Sequence, residues 1–159
     1  MITDPAQRQA IGDIYRREFD RYRSAGGVAA SLHQADPERA VIQARVGSSA
    51  DYLAQHLGEV PVHLIAAIEA SRLPEGNQAG LWGSIIPAAW SYMLAARARR
   101  LGTVWTTLHL HREQDVADVV GIPAGVRQAA LIPTAYYIGD TFKPAPRVPL
   151  DDVLHIDHW

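Results

Sequence analysis

Histidines with metal-like spacing are the first residues that could do chemistry. His109 and His111 are two residues apart, so a strand there would place both imidazoles on one face. A zinc site needs further ligands, but the chain has no cysteine and no carboxylate triad near the pair. Polar residues at a strand end are therefore the favoured interpretation, and a metal-dependent enzyme is the least favoured function. His63, inside an apolar run, is expected to be a hydrogen-bonded core residue, and His155 and His158 are expected at the surface.

A threonine pair and an arginine are the next candidates. Thr106 and Thr107 end a run of β-branched and aromatic residues, and hydroxyl and backbone groups at a strand end can face a ligand. Ordinary strand threonines are the alternative. Arg147 lies between Pro146 and Pro149, where a stiff segment can present its guanidinium to a phosphate or carboxylate. A plain surface arginine is the alternative there.

Three tryptophans could stack on a planar ligand, although core packing is the expected role of each. They are Trp82, Trp90 and Trp105.

Most of these residues belong to or flank one stretch, residues 84–110, which predicts a buried helix, a glycine stop and a strand. Ser84 is the expected N-cap, and Pro87 falls in the first turn, where its missing N–H costs little. The helix is apolar almost all the way round, so it must be covered on every side by its own domain or by a partner. Gly102 is expected at a left-handed cap position, and residues 103–107 then predict a strand.

Start and stop signals predict the earlier helices. Asp4-Pro5 begins the first helix, which ends by Gly26-Gly27, and Asp36-Pro37 begins a second helix. Gly47 is expected to break that helix, and a short third helix then runs to residue 58.

Apolar runs predict the other strands. Residues 60–68 are typical of a strand covered on both faces, and residues 127–138 predict another strand, bent at Pro133. Residues 113–120 predict an amphipathic helix that ends at Gly121, and residues 143–149 hold too many prolines for a helix. We therefore predict one α+β domain over residues 1–159, with helices packed on a small mixed β-sheet.

Composition narrows the function classes. The formal net charge of −2 gives no reason to expect nucleic acid or an anionic membrane as a partner. The sequence predicts no membrane span and no secretory signal peptide, and it contains no cysteine. We therefore expect a cytoplasmic protein without a metal site.

Several blocks of the sequence resemble one known family. SIIPAAWSYMLAARARRLGTVWTTLHL, VADVVGIPAGVRQAALIPTAYYIG and FKPAPRVPLDDVLHIDHW follow one another in order, and DPAQRQAIGDIYRREF and DYLAQHLGEVPVHLIAAIE fit upstream. Together these blocks resemble the nitroreductase family of FMN-dependent oxidoreductases, in its actinobacterial-type branch. The resemblance covers nearly the whole chain.

The resemblance implies an intertwined homodimer with FMN at the subunit interface. The helix predicted at the start of residues 84–110 would pack at this interface, and a C-terminal segment would reach over the other subunit. The flavin would pass electrons from NAD(P)H to nitroaromatics, quinones or similar small acceptors, so no protein nucleophile or essential general acid is expected. The residues that the family places along the flavin ring correspond here to Trp105, Thr106, Thr107 and Leu108.

The family's phosphate-binding arginine corresponds to Arg147. A second basic position of the family is Ala145 here, so one phosphate contact is missing unless Lys143 replaces it. The sequence also begins after the family's N-terminal segment, which carries an Arg-rich phosphate motif and a loop that covers the flavin. The alternative function is therefore a truncated, flavin-poor dimeric scaffold or binding module that keeps the fold without the activity.

Overall fold

The computed structural model describes residues 1–26, 32, 35–140, 142, 144 and 147–159. In this part of the chain the helices are α1 (Pro5–Ser24), α2 (Pro37–His56), α3 (Ala79–Ala98) and α4 (Glu113–Val120). The strands are β1 (Val62–Glu69), β2 (Leu101–Thr103) and β3 (Val126–Tyr136). Short 3₁₀ turns span Leu57–Glu59, Leu108–Arg112 and Leu150–Asp152.

The three strands form one sheet in the order β1-β3-β2. This confirms the predicted α+β architecture of helices packed on a small sheet. Both pairings are antiparallel, however, so the expectation of a mixed sheet is wrong. The reason is that β3 lies between β1 and β2 and runs opposite to both. β1 and β2 are parallel to each other, but they do not pair.

The two faces of β3 enter different core clusters. Leu131 packs on one face with α1, and Ala130 and Ile132 pack on the other with α3. The buried members of the first cluster, here the α1-side core, are Ile2, Ile11, Ile14, Tyr15, Phe19, Ala54, Leu57, Val116 and Leu131. Those of the second, the α3-side core, are Ala66, Ala89, Ala129, Ala130 and Ile132.

The predicted starts of α1 and α2 are confirmed. The Asp4 carboxylate accepts a hydrogen bond from the backbone N–H of Gln7 at 2.8 Å, and Asp36 caps α2 in the same way. α1 ends at Ser24, and Gly26 follows with a left-handed φ of +77°. Gly27, the second residue of the predicted stop, lies outside the described residues.

The predicted break at Gly47 is wrong. α2 runs without interruption from Pro37 to His56, so most of the predicted third helix is the C-terminal part of α2, and a 3₁₀ turn follows at Leu57–Glu59. Gly47 is buried and lines a small cavity with Phe19 and Tyr22 of α1. Packing of α2 against α1 outweighs the cost of about 1 kcal/mol that glycine brings to a helix interior.

α3 begins at Ala79, five residues before the predicted N-cap. The side-chain oxygen of Asn77 accepts from the Ala79 N–H at 2.8 Å. Ser84 is not a cap, because its hydroxyl donates to a carbonyl one turn earlier. Pro87 consequently lies inside the helix and cannot donate to the carbonyl of Gly83. Both residues are exposed, so water can reach that carbonyl.

The left-handed residue after α3 is Arg100, with φ +60°, and not Gly102 as expected. Gly102 lies in β2 instead, opposite Ala135. A Cβ atom at this position would lie 3.4 Å from the ring of Tyr137, so the glycine allows close approach rather than a helix cap.

Pro133 interrupts the strand predicted at residues 103–107. β2 pairs with β3 as far as Thr103 opposite Thr134, and an isolated bridge between Thr106 and Leu131 continues the same register. Val104 therefore lies opposite Pro133, which has no N–H to donate. The remaining bond, from the Val104 N–H to the Pro133 carbonyl, is long at 3.4 Å. The regular ladder ends here, and β3 continues through Pro133 to Tyr136.

The prediction for residues 113–120 is confirmed at both ends of α4. Gly121 adopts a left-handed φ of +73°, and the Ile122 N–H donates to the Ala117 carbonyl at 2.9 Å, as in a Schellman motif. The extended segment expected at residues 143–149 falls only partly on described residues, because Lys143, Ala145 and Pro146 lie outside them.

Candidate functional site

A cavity of about 710 Å³ lies between α1, α2 and the segment that follows β2. We call it the α2 cavity, because α2 supplies its long wall. The lining residues from α2 are Ile42, Arg45, Val46, Ser49, Ala50, Tyr52, Leu53 and His56. Tyr15 and residues 104–106 line the other side, and the volume is within the range of about 300–1,000 Å³ that small-molecule sites occupy.

The four consecutive residues that the resemblance places along a flavin lie beside two adjoining cavities. Trp105 and Thr106 line the α2 cavity, and Thr107 and Leu108 line a neighbouring cavity of about 280 Å³. The two cavities share Tyr15 and Ala50. The structure thus brings all four residues to one groove, which we call the strand-end groove.

The backbone of the strand-end groove has open hydrogen-bonding groups at alternate residues. Thr106 uses its N–H and its carbonyl to bond Leu131, at 3.0 and 2.9 Å. Because peptide groups alternate along an extended segment, those of Trp105 and Thr107 point away from β3. Among the described residues, neither the Trp105 N–H nor the Thr107 N–H makes a hydrogen bond. These two donors, and not the one of Thr106, can therefore reach a ligand.

Tyr15 closes the inner side of the groove. The hydroxyl of Thr106 donates to the Tyr15 hydroxyl oxygen at 3.0 Å, and both residues are buried. Burial raises the pKa of Tyr15, and the hydrogen bond from Thr106 lowers it in part. Tyr15 therefore keeps its proton at neutral pH, and that proton is available to a ligand that enters the cavity.

Arg147 lines a different groove, of about 460 Å³, at the start of α2. Its neighbours there include Asp36, Glu38 and Asp152. This groove and the α2 cavity have Ile42 in common, so they adjoin along α2. Ala145 and Lys143, the other positions considered for phosphate binding, lie outside the described residues.

The histidine pair does not share a face. His109 and His111 lie in a 3₁₀ turn instead of a strand, where His109 is fully buried and His111 is exposed. The expectation that both are polar residues of a strand end is therefore wrong. Burial lowers the pKa of His109 to about 4. No group of three or more potential metal ligands comes together within the described part of the chain.

His63 is a hydrogen-bonded core residue, as predicted. Its ring Nε2 lies 2.8 Å from the Leu57 carbonyl, which it can only approach as a donor. Burial lowers the pKa of His63, although this bond opposes the shift. His155 and His158 are exposed, as expected.

The tryptophans differ in burial. Trp82 and Trp105 are half-buried beside the α3-side core, which confirms their expected packing role. Trp90 is 56% exposed, so the same expectation is wrong for it in the single chain.

Comparison with known proteins gives the family. The model of the nitroreductase family matches residues 1–136. The chain belongs to the nitroreductase family. Membership supports a general oxidoreductase function, and a search of curated proteins finds no match.

Two solved structures share the nitroreductase-like fold. A nitroreductase-like family protein from Bacillus cereus superimposes with a TM-score of 0.53 at 14% identity, over 94% of this chain and 67% of that one. A point variant of the FMN- and NADPH-dependent nitroreductase NfnB, derived from Sphigopyxis sp. strain HMH, gives a TM-score of 0.62 at 15% identity, over 99% and 78%. Within the described residues of this nitroreductase-family chain, none of the helices is long and apolar enough to cross a membrane.

Sequence reasoning missed the contribution of α2 to the site of this nitroreductase-family chain. Arg45, Ser49 and His56 line the α2 cavity, and the ring of Tyr52 stacks on that of His56 at 4.2 Å between centroids. Residues 42, 45, 46, 49, 53 and 56 recur at helical spacing, which was the available signal. The assumed break at Gly47 divided this face into two short pieces and hid it.

Proposed function

We propose that this protein is an FMN-dependent oxidoreductase that passes electrons from NAD(P)H to nitroaromatics, quinones or similar small acceptors. The observation that carries the proposal is the strand-end groove, in which the Trp105 and Thr107 N–H groups are open beside a cavity of about 710 Å³. The family match over residues 1–136 supports it independently. A cytoplasmic location is part of the same proposal.

The residues present fit a flavin ring. The long wall from α2 is largely apolar, which suits a planar heterocycle. The open N–H groups of Trp105 and Thr107 would hold polar atoms of the ring edge, and Tyr15 would offer its hydroxyl from the inner side. Leu108 would pack against the ring from the start of the next turn. A bound flavin supplies hydride and electron transfer, so the chain's residues bind, orient and exclude water.

A homodimer is the second part of the proposal. Ile86, Trp90 and Leu94 form an exposed apolar stripe on the outer side of α3, with 45–56% of each residue exposed. The C-terminal residues Leu150, Val153 and Ile156 are also exposed. Exposed apolar patches of this kind mark interaction surfaces, and a second copy of the chain is the partner that the family supports.

The test is flavin binding with a variant that fills the α2 cavity. The purified protein, incubated with FMN and desalted, should keep a yellow flavin spectrum and oxidise NADPH with a nitroaromatic acceptor. Ser49→Trp should abolish both signals, because Ser49 is an exposed residue of the cavity wall and a large side chain there occupies the ligand volume.

Ser48→Trp is the matched control, because Ser48 is equally an exposed α2 residue but points about 100° away along the helix. It should leave flavin retention unchanged. A wild-type protein that stays colourless and does not oxidise NADPH would overturn the enzyme function and favour a dimeric scaffold. Equal losses in both serine variants would contradict the assignment of this cavity.

A further inference from the structure

The α2 cavity has one permanent cation and no carboxylate among its described lining residues. Arg45 is that cation; it is exposed at the cavity, and it forms no ion pair within the described part of the chain. His56 also lines the cavity, but its ring nitrogen lies 3.1 Å from the Glu59 carboxylate, so it already has an anionic neighbour. The electrostatic environment of this cavity therefore favours an anion near Arg45.

The groove of Arg147 has the opposite balance. Asp36, Glu38 and Asp152 bring three carboxylates to it, against the two guanidinium groups of Arg39 and Arg147. The start of α2 cannot receive an anion either, because the Asp36 carboxylate already accepts from the N–H groups of Glu38 and Arg39, both at 3.1 Å. A phosphate placed in this groove would meet like charges.

We infer that Arg45, rather than Arg147, binds the phosphate group of the flavin, and that it does so in the α2 cavity. The inference rests on the proposed function, since it takes FMN as the ligand. Arg45 lies one helical turn from Ser49 on the cavity wall, so a ring held at the strand end can direct its phosphate along α2 toward the guanidinium. A planar guanidinium suits the paired oxygens of a phosphate.

The test compares FMN with riboflavin, which lacks the phosphate. Both are titrated into the full-length apo protein, and binding is followed by quenching of flavin fluorescence, so no turnover is needed. The wild type should bind FMN about tenfold more tightly than riboflavin, the size of a charge-assisted contact. Arg45→Gln should bring the two affinities close together by weakening FMN alone, and Arg45→Lys should retain part of the preference.

Arg39→Gln and Arg147→Gln are the matched controls, because they remove the cations of the acidic groove. Both should keep most of the wild-type preference for FMN. The inference is overturned if Arg45→Gln keeps the full preference, if it weakens riboflavin as much as FMN, or if Arg147→Gln alone removes the preference. Failure of the wild type to bind either flavin would instead overturn the proposed function, and this inference with it. Circular dichroism of each variant verifies folding.

Discussion

α1 and α3 are both 20 residues long and cover opposite faces of one sheet, yet they use their surfaces differently. α1 buries Ile11, Ile14 and Phe19 and exposes most of its charged residues, apart from the buried Glu18. α3 buries only Ala89 and Ala96 fully, while Trp90 and Leu94 remain more than half exposed. The outer side of α1 is therefore polar, as expected for a solvent-exposed helix, whereas α3 is apolar on its inner and its outer side.

The two core clusters show why. Branched and aromatic side chains fill the α1-side core, whereas four of the five buried residues in the α3-side core are alanines. Small side chains bury little apolar area, and burial stabilises by about 25 cal/mol per Å². The α3 side therefore gains less from the single chain, and a second copy packed on the outer stripe of α3 would supply the rest.

Truncation in the α1-side core should have the largest effect. Ile11 is fully buried, so Ile11→Ala should lower the free energy of unfolding by about 2–5 kcal/mol, through lost burial and a residual cavity. Urea unfolding measures this. The same truncation on α3, Ile86→Ala, should cost clearly less at low protein concentration, because Ile86 is 45% exposed. Equal costs would mean that the two faces do not differ in packing.

Low pH should also destabilise the α1 side of the protein. His109 lies in the turn that packs against α1, and its folded pKa of about 4 is below the unfolded value of about 6.5. As the pH falls, the unfolded state binds a proton at His109 before the folded state does. The contribution of neutral His109 to the free energy of unfolding is therefore complete above pH 6.5 and is lost as pH falls toward 4. The loss should approach roughly 3 kcal/mol.

The measurement is urea unfolding at a series of pH values. His109→Phe should make the profile less steep between pH 6.5 and 4, because both of its ring nitrogens lack partners among the described residues and nothing else is broken. The part of the slope that comes from His63, whose pKa burial also lowers, should remain. His111→Phe, at an exposed position, should leave the wild-type slope unchanged. An unaltered slope in His109→Phe would rule out this residue as the cause.

A charge on the outer stripe of α3 should break the proposed dimer with little effect on folding. Trp90→Glu should weaken self-association by about 2 kcal/mol or more, roughly 30-fold, because buried tryptophans dominate interface energies. Sedimentation at several concentrations measures it. Val41→Glu, at a residue of α2 that is 53% exposed, should leave the assembly unchanged. A wild type that is monomeric at all concentrations would contradict the interface.

The smallest expected effect concerns two hydrogen-bonded tyrosine–threonine pairs, one on each face of the sheet. Tyr15→Phe leaves the buried Thr106 hydroxyl without its acceptor and should cost about 1 kcal/mol of unfolding free energy. Tyr92→Phe removes the matching bond to Thr134, but that hydroxyl keeps the Ile132 carbonyl as a partner at 3.2 Å. Its cost should be smaller, and thermal unfolding of both variants compares them. A larger loss in Tyr92→Phe would reverse the order.

Local signals in the sequence were enough for the elements whose ends are capped by their own residues. Asp4, Asp36 and Gly121 act through bonds within a few residues, and the helix ends that they form were predicted correctly. The errors came from contacts distant in sequence. Gly47 stays helical because α1 packs beside it, and the regular pairing of β2 ends because Pro133 lies opposite Val104.

Part of the candidate site could be proposed from the sequence. The resemblance assigned residues 105–108 to it, but which of their amides are open depends on the bridge from Thr106 to Leu131, 25 residues away in the chain. Arg45 carries no local signature that separates it from other helix arginines. Its significance depends on which charges face it, and that follows only from the folded arrangement of α2 against the strand end.

Pro133 has one more consequence, for hydration. An N–H at this position would complete the pair of bonds between Val104 and residue 133, as the pair between Thr106 and Leu131 is complete. The imino acid leaves the Val104 carbonyl without that donor, and Val104 is 41% exposed, so water can hydrate the carbonyl in the folded state. The point where β2 meets the strand-end groove is therefore hydrated along the edge of the sheet.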